Sequence, residues 1–419
     1  MRRALALIAV VVVAAPAAVR ADTAATKVQK LLDRTDAIAA EVAKLRGLKL
    51  KKPIKRGVKT RDEIRTSLLA NIDRETTAEE IALEERTLKR LGLLEADADY
   101  KKLYVDLATD QIAGFYDPWE KELYIAEGLD LGASGFDDGP PVMAHEIDHA
   151  LQDQHFDLKP FMDGAGENSD AALARQALVE GDGMAVMIEY MFSAMGADPP
   201  WGDPKVTQQL EAAFDGTGTG AGSMSKAPLF MQVGMMFPYT GGLGFVMRYR
   251  AHHPWARIDQ MYKKPPLSTE HILHPKKYSL YERPVEITSV PIDALADYKE
   301  LHANVTGEIG FATLLQQHQV TREAAAEAAD GWGGDRFAVY APKQDDGKVD
   351  SLVIVNYFVW DDESDAIEAF EASELALETF GALHAVRDGD AVVLVIGAPQ
   401  GKAGSIAAQV LAGWKVKRR

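Results

Sequence analysis

The chain has 419 residues, a length that suggests two domains and allows three. Apolar residues make up 47% and charged residues 26%, which are ordinary globular proportions, so most of the chain is expected to fold. The formal net charge of −17 argues against nucleic acid or an anionic membrane as a partner, because an acidic surface repels both.

The N-terminus has the pattern of a secretory signal peptide. Residues 4–19 carry no charge and follow two arginines, and the small-residue rule places cleavage after Ala21. The uncharged run is short for a membrane span and Pro16 interrupts it, so we expect no integral span after residues 1–21 are removed. An uncleaved anchor is the alternative. The chain has no cysteine, which excludes disulfides and thiolate ligands and favours a bacterial periplasm or the exterior.

Residues 22–97 are predicted to form an N-terminal helical region. Residues 23–48 have helical apolar spacing, and the basic, proline-containing stretch 49–59 is expected to be a loop. A second helix is expected over 78–92. Capping boxes, in which a threonine precedes a glutamate by three residues, predict two helix starts: Thr60 with Glu63, and Thr77 with Glu80.

Residues 98–295 are predicted to form a mainly helical domain with one small hairpin. The hairpin is expected over residues 112–126, where two aromatic and β-branched runs flank a turn. Residues 214–224, rich in glycine, threonine and serine, predict a mobile loop, and 263–284 an ordered loop. Helices are expected over 141–156, 168–195, 227–237 and 241–252.

Residues 300–419 are predicted to form a smaller α+β domain, which makes the fold class of the whole chain α+β. Its strands are expected at RFAVYA, SLVIVNYFVW and AVVLVIGA, and its helices over 306–318, 362–377 and 402–413. This part has no evident cluster of reactive side chains, so we expect structural support, or positioning of a substrate or partner.

The sequence HEIDH, residues 145–149, predicts a metal site. The spacing of four places His145 and His149 on one face of a helix, one turn apart, and two neutral imidazoles suit zinc. Glu146 stands beside the first ligand, where it can take a proton from attacking water and pass it to a leaving amine. The alternative is a helix with two ordinary histidines.

Glu180 is the predicted third ligand. It follows His149 by 31 residues, which leaves room for the first helix to end and a second helix to return alongside it. Its neighbours are apolar or small, as expected at a packed site. His155 is a poor ligand, because no glycine between it and His149 turns the chain back to the metal.

With these residues the chain resembles the gluzincin branch of the zincin metallopeptidases, which have HExxH on one helix and a glutamate ligand on the next. Further strings resemble a family of largely uncharacterised exported bacterial and archaeal zincins: HEIDHALQDQHFDL, ALVEGDG, GFYDPWEKELYI, FPYTGGLGFV and PPLSTEHILHPKKY. The resemblance implies a zincin-like metallopeptidase domain that binds one zinc ion. Many gluzincins place an aspartate four residues after the glutamate ligand, where this chain has Met184.

Two carboxylates could orient a ligand histidine in place of that aspartate, namely Asp182 and Asp153. A donor for the developing oxyanion is also needed. Four residues are candidates for that donor, and the first two are favoured because each adjoins a proline: His274, Tyr239, His271 and Tyr278.

The predicted function is hydrolysis of peptide bonds by an exported zinc enzyme with Glu146 as general base. A peptide or protein substrate would add to an edge strand, IAGFY or ELYIA, beside the metal helix. The alternative is a catalytically silent zincin-like module that binds a peptide or partner in the cell envelope. A third hypothesis is hydrolysis of a non-peptide amide.

Overall fold

The structure is a computed structural model that describes residues 21–128, 139–203, 205, 209 and 223–418, with the backbone alone at 21–26 and 200. Within these residues the fold is α+β, as predicted. Residues 1–20 of the predicted signal peptide and most of the predicted loop over 214–224 lie outside the described residues.

The first half of the described chain is mostly helical, with three short strands. The helices and strands are α1 (Ala21–Asp33), α2 (Thr35–Arg46), β1 (Lys55–Lys59), α3 (Arg61–Glu75), α4 (Ala78–Arg90), α5 (Tyr100–Gln111), β2 (Gly114–Asp117), β3 (Glu122–Ala126), α6 (Gly139–Phe156), α7 (Leu158–Asp163) and α8 (Ser169–Ala194).

Helices continue to residue 280, and strands are more frequent after it. The elements are α9 (Leu229–Arg250), α10 (Trp255–Lys263), α11 (Thr269–Leu273), α12 (Pro275–Leu280), β4 (Glu286–Thr288), β5 (Tyr298–Asn304), α13 (Gly307–Gln317), α14 (Arg322–Ala329), β6 (Trp332–Pro342), β7 (Val353–Trp360), α15 (Glu363–Thr379), β8 (Leu383–Asp388), β9 (Ala391–Ile396), α16 (Ala403–Gly413) and β10 (Lys415–Lys417).

The described strands form three sheets. A three-stranded sheet has the order β1-β3-β2, with β1 parallel to β3 and β2 antiparallel to it. An antiparallel five-stranded sheet has the order β5-β6-β7-β9-β8, and β4 pairs with β10. One apolar core contains α6, α8 and α9, and two others cover the two faces of the five-stranded sheet.

Both predicted capping boxes are present, at Thr60 and Thr77. The predicted loop over 49–59 is wrong in part, because its second half is β1. That strand is rich in charge but pairs along its whole length with β3, and the Lys59 ammonium lies 3.9 Å from the centre of the Tyr124 ring. Pairing with an apolar neighbour therefore outweighed the polar composition of the strand.

Two other predictions, one of a helix pair and one of a loop, need correction. The helices expected over 227–237 and 241–252 are one helix, α9, which runs through Pro238 and a glycine pair. Those residues normally interrupt helices, but here close packing on α8 needs Gly242. The predicted loop over 263–284 is ordered, as expected, yet contains α11 and α12.

No helix in the described ranges combines the length and hydrophobicity needed to cross a membrane.

Candidate metal centre

Helix α6 carries the HEIDH motif through the centre of the largest apolar core. Pro140 and Pro141 occupy its first turn, where a missing backbone N–H removes no helical hydrogen bond. The side chains of His145, Glu146 and His149 are at most 2% exposed, because α2, α8 and β2 pack around this helix. The polar motif is therefore enclosed by protein on every side.

Helix α8 returns alongside α6 and brings Glu180 to the two histidines. It begins at Asn168, whose side chain accepts a hydrogen bond from the Ala171 N–H. Gly183 allows the close approach, since a β-carbon there would lie 2.9 Å from Cε1 and Nδ1 of His145. Gly183, the second glycine of LVEGDG, is thus needed for the His145 ring to lie against the α8 backbone.

The three predicted ligands converge in the structure. His145 Nε2 lies 3.2 Å from Glu180 Oε2 and 2.9 Å from His149 Nε2, and His149 Nε2 lies 3.4 Å from Glu180 Oε2. Tetrahedral zinc with bonds of about 2.1 Å separates its ligand atoms by about 3.4 Å. Glu180 Oε1 has no hydrogen-bond partner among the described residues. The donor set and its spacing fit one zinc ion.

The electrostatics of the cluster also favour a cation. Burial opposes charge on every member, yet Glu180 raises the pKa of His149 to about 10, and His149 holds the pKa of Glu180 down at about 2. Burial, followed by the nearby His149, lowers the pKa of His145. Without a metal, a proton on His149 therefore supplies the positive charge that the carboxylate requires.

Glu146 lies next to the cluster, and its carboxylate accepts no side-chain hydrogen bond within the described residues, whereas the backbone N–H of Tyr116 in β2 faces it. Burial raises the pKa of Glu146 to about 8. A β-carbon at Gly114 of β2 would lie 3.5 Å from Glu146 Cγ. The edge strand of the three-stranded sheet therefore runs beside a carboxyl group whose proton affinity suits a general base near neutral pH.

Gln152 orients the second histidine. Its Nε2 donates to Asp148 Oδ2 at 2.7 Å and to the Val179 carbonyl at 3.1 Å, so its Oε1 faces His149 Nδ1 at 2.9 Å. Because an amide oxygen can only accept, Nδ1 of His149 keeps its proton in either charge state, and Nε2 is the nitrogen that gives up its proton when a metal binds. This is the tautomer that a ligand at Nε2 requires.

The two carboxylates considered for this role have other partners. Asp182 accepts two hydrogen bonds from Arg46 and one from Tyr262. Asp153 accepts hydrogen bonds from the Tyr116 hydroxyl and the Lys121 ammonium. The orienting group for His149 is therefore an amide, not a carboxylate.

Of the favoured oxyanion donors, Tyr239 adjoins the centre and His274 belongs to another cluster. The Tyr239 ring is buried and stacks on His145, with centroids 6.2 Å apart. His274 Nε2 lies 2.8 Å from Glu308 Oε1 and 3.5 Å from Asp330 Oδ1. This contact with α13 and the residue after α14 gives His274 a partner on the C-terminal side.

The remaining candidates bond to backbone carbonyls. His271 Nε2 lies 2.6 Å from the carbonyl of residue 282, and the Tyr278 hydroxyl donates to that of residue 264. His155 Nε2 lies 2.7 Å from the carbonyl of residue 49. These contacts hold together the segments that join the helices.

Sequence reasoning missed two residues behind the centre, Gln152 and Arg46. Gln152 follows His149 by three residues, so helical spacing alone could have placed it on the ligand face. Arg46 is wholly buried, yet its partner Asp182 is 136 positions away, and no local pattern connects them.

A family model described as a domain of unknown function (DUF8575) matches residues 295–410. That range holds β5 to β9 and most of α16, and the candidate metal ligands lie outside it. No curated protein and no solved structure matches the chain.

Proposed function

We propose that the chain is a zinc-dependent hydrolase that cleaves peptide bonds. The observation that carries this proposal is the convergence of His145, His149 and Glu180, with the buried Glu146, which no described side chain pairs with, beside them. Two imidazoles and one carboxylate are a donor set typical of catalytic zinc, which keeps a fourth position open. A purely structural site has no chemical need for Glu146.

Zinc bound by the three residues would supply Lewis acidity for the attack of water on a carbonyl group. Glu146 takes the proton of the attacking water and delivers it to the leaving amine. Gln152 keeps His149 in the tautomer that leaves Nε2 free of a proton. The apolar walls exclude bulk water, which strengthens each of these polar interactions.

The edge strand beside the centre supports a peptide as the substrate. Of the two strands considered, β2 forms one edge of its sheet, whereas β3 lies in the middle with both sides paired. An extended peptide could add to β2 through backbone hydrogen bonds and bring a carbonyl group next to Glu146. ELYIA, which is β3, is thereby set aside as the docking strand.

The proposed compartment is the periplasm or the exterior, on the strength of the N-terminal pattern and the absence of cysteine. The second candidate function is a catalytically silent module that binds a peptide or partner. The complete burial of the centre favours it, because the four polar side chains are at most 2% exposed and a substrate would need the surrounding helices to move.

The test compares the chain from residue 22 onward with its Glu146→Gln variant. Zinc content is measured by mass spectrometry, and cleavage is followed with casein and a quenched fluorescent peptide library. Glu120→Gln is the matched control, since Glu120 lies on the turn after β2 and bonds to Tyr124. Both variants remove one carboxylate from the same part of the chain.

We expect about one zinc per chain in all three proteins and cleavage by the native and Glu120→Gln proteins only. Zinc binding without cleavage by any of them would favour the silent module. A native chain that takes up no zinc, even when zinc is supplied, would refute the metal centre itself.

A further inference from the structure

Behind the candidate centre lies a buried guanidinium from the N-terminal part of the chain. Arg46 is the last residue of α2 and has no exposed surface. Its Nε lies 2.8 Å from Asp182 Oδ1, and its Nη2 lies 2.9 Å from Asp182 Oδ2. This is a bidentate pair, in which the planar fork of arginine fixes the position and the orientation of the carboxylate.

The Arg46 guanidinium also faces α6, the helix that carries the HEIDH motif. Its Nε lies 4.0 Å from Asp148 Oδ1, and Asp148 directly precedes His149. The other oxygen of Asp148 accepts the hydrogen bond from Gln152, which in turn orients His149. Asp182 stands two residues after Glu180 on α8. The Arg46 guanidinium therefore pairs with Asp182, two residues from the ligand Glu180 on α8. It also faces Asp148, which directly precedes the ligand His149 on α6.

A third helix closes this site from the far side. Arg46 Nη1 lies 2.7 Å from Asp259 Oδ1 of α10, and the guanidinium lies 4.4 Å from the centre of the Trp255 ring. The Tyr262 hydroxyl donates to Asp182 at 2.9 Å. Helices α2, α6, α8 and α10 thus meet at a single positive charge.

We propose that Arg46 is a positioning residue for the metal centre, on the basis of the proposed zinc site. It does not touch the metal ligands. It holds α6 and α8 at the separation at which His145, His149 and Glu180 converge. Without it, Asp182 would lose two buried hydrogen bonds and Asp148 the cation that faces it, so α6 and α8 would no longer be held to α2 at this separation. Helix α2 therefore contributes to the frame that surrounds the centre.

The test uses Arg46→Met, Arg46→Lys and a matched control, Arg250→Met. Arg250 also pairs with a carboxylate of α8, Glu189, and also lies over the Trp255 ring, at 4.5 Å. Glu189 stands nine positions beyond Glu180, about 13 Å along the helix. The control therefore removes the same kind of interaction from the same helix, away from the ligands.

Zinc affinity is measured by competition with a chromophoric chelator, and the stability of the zinc-free protein by urea unfolding. We expect Arg46→Met to weaken zinc binding 10- to 100-fold, the range found when groups that support metal ligands are removed. Arg46→Lys should recover part of that affinity, because the charge is kept but the fork is lost. Arg250→Met should lose stability and keep the native affinity.

Native zinc affinity in Arg46→Met would overturn the proposal and leave Arg46 a structural residue only. If Arg46→Met does not fold, Tyr262→Phe decides, since it removes one hydrogen bond to Asp182 and no charge. A severalfold weaker affinity supports the proposal and an unchanged affinity contradicts it. If the native protein binds no zinc, the proposed function and this inference both fail. If the native protein binds zinc and cleaves peptides but Arg46→Met keeps the native zinc affinity, only the inference about Arg46 fails.

Discussion

Gly181 of α8 and Gly242 of α9 face each other so closely that a β-carbon at either position would overlap backbone. A β-carbon at Gly181 would collide with the carbonyl group of Gly242, and one at Gly242 with the carbonyl oxygen of Ala177. This contact between backbones sets the crossing of the two helices. It places Glu180 and Tyr239, each within one turn of the crossing, next to His145.

Gly242→Ala should therefore destabilise the protein. Overpacking in a core costs about 1–3 kcal/mol, and rigid backbone on the opposite side favours the upper end of that range. Urea unfolding of the zinc-free protein measures the effect. Gly234→Ala on the same helix is the control, because a β-carbon there meets nothing within 4 Å. It should stabilise by up to about 1 kcal/mol through helix propensity. Equal stability of the two variants would contradict this account of the crossing.

Gln152→Ala should weaken zinc binding 10- to 100-fold without unfolding the protein, because His149 Nδ1 loses its acceptor. Chelator competition measures the affinity. Gln154→Ala is the control on the same helix, since its side chain bonds to the backbone of residues 51 and 52 instead. Similar affinities in the two variants would show that the amide does not orient the ligand.

Tyr239→Phe should lower kcat about 100-fold and leave zinc affinity unchanged, if the hydroxyl stabilises the developing oxyanion. The peptide assay and chelator competition together give this comparison. Tyr249→Phe, on the same helix, is the control, because the Tyr249 hydroxyl bonds to Ser279 and the Pro275 carbonyl. Full activity of Tyr239→Phe would confine Tyr239 to packing on His145.

His274→Ala should lower stability by about 2 kcal/mol and leave kcat unchanged. His274 pairs with the buried Glu308, whose charge loses that partner in the variant. Urea unfolding and the peptide assay measure the two effects. A large loss of kcat at normal stability would instead support the oxyanion role that the sequence suggested for His274.

The stability of the zinc-free protein should fall as the pH rises from 7 to 8.5. Burial raises the pKa of Asp170 to about 7 and that of Glu270 to about 8, whereas both are near 4 in an unfolded chain. Over this range the folded chain keeps protons that the unfolded chain has lost, so stability decreases with pH. Buried histidines such as His271, with a pKa of about 4, give the opposite slope, but only below about pH 6.5.

Urea midpoints in the presence of a chelator, taken at several pH values, test this dependence. Glu270→Gln should make the slope above pH 7 less steep, because a neutral amide has no proton to lose, whereas Glu146, with a pKa of about 8, still contributes. A midpoint that rises from pH 7 to 8.5 in the native protein would show that the buried carboxyl groups do not control stability there.

The metal ligands were the part of the site that the sequence predicted best, because their spacing follows the helical repeat. A spacing of four residues placed His145 and His149 together, and the room for a returning helix pointed to Glu180. The prediction of two helices in place of α9 was wrong, because Pro238 and the glycine pair disfavour a helix locally and packing on α8 outweighs that preference. Arg46 was out of reach for any local rule, since its partners are brought to it only by the folded chain.

The pairing of Arg46 with Asp182 and Asp259 also sets the order in which the centre can be made. Synthesis delivers the HEIDH motif and Glu180 well before α10, which begins at Trp255 and carries the last partner of the guanidinium. A growing chain that ends before α10 therefore has every metal ligand but only part of the frame that holds them. The complete frame can form only after Asp259 has been synthesised, so a chain truncated before α10 carries the motif without the whole frame.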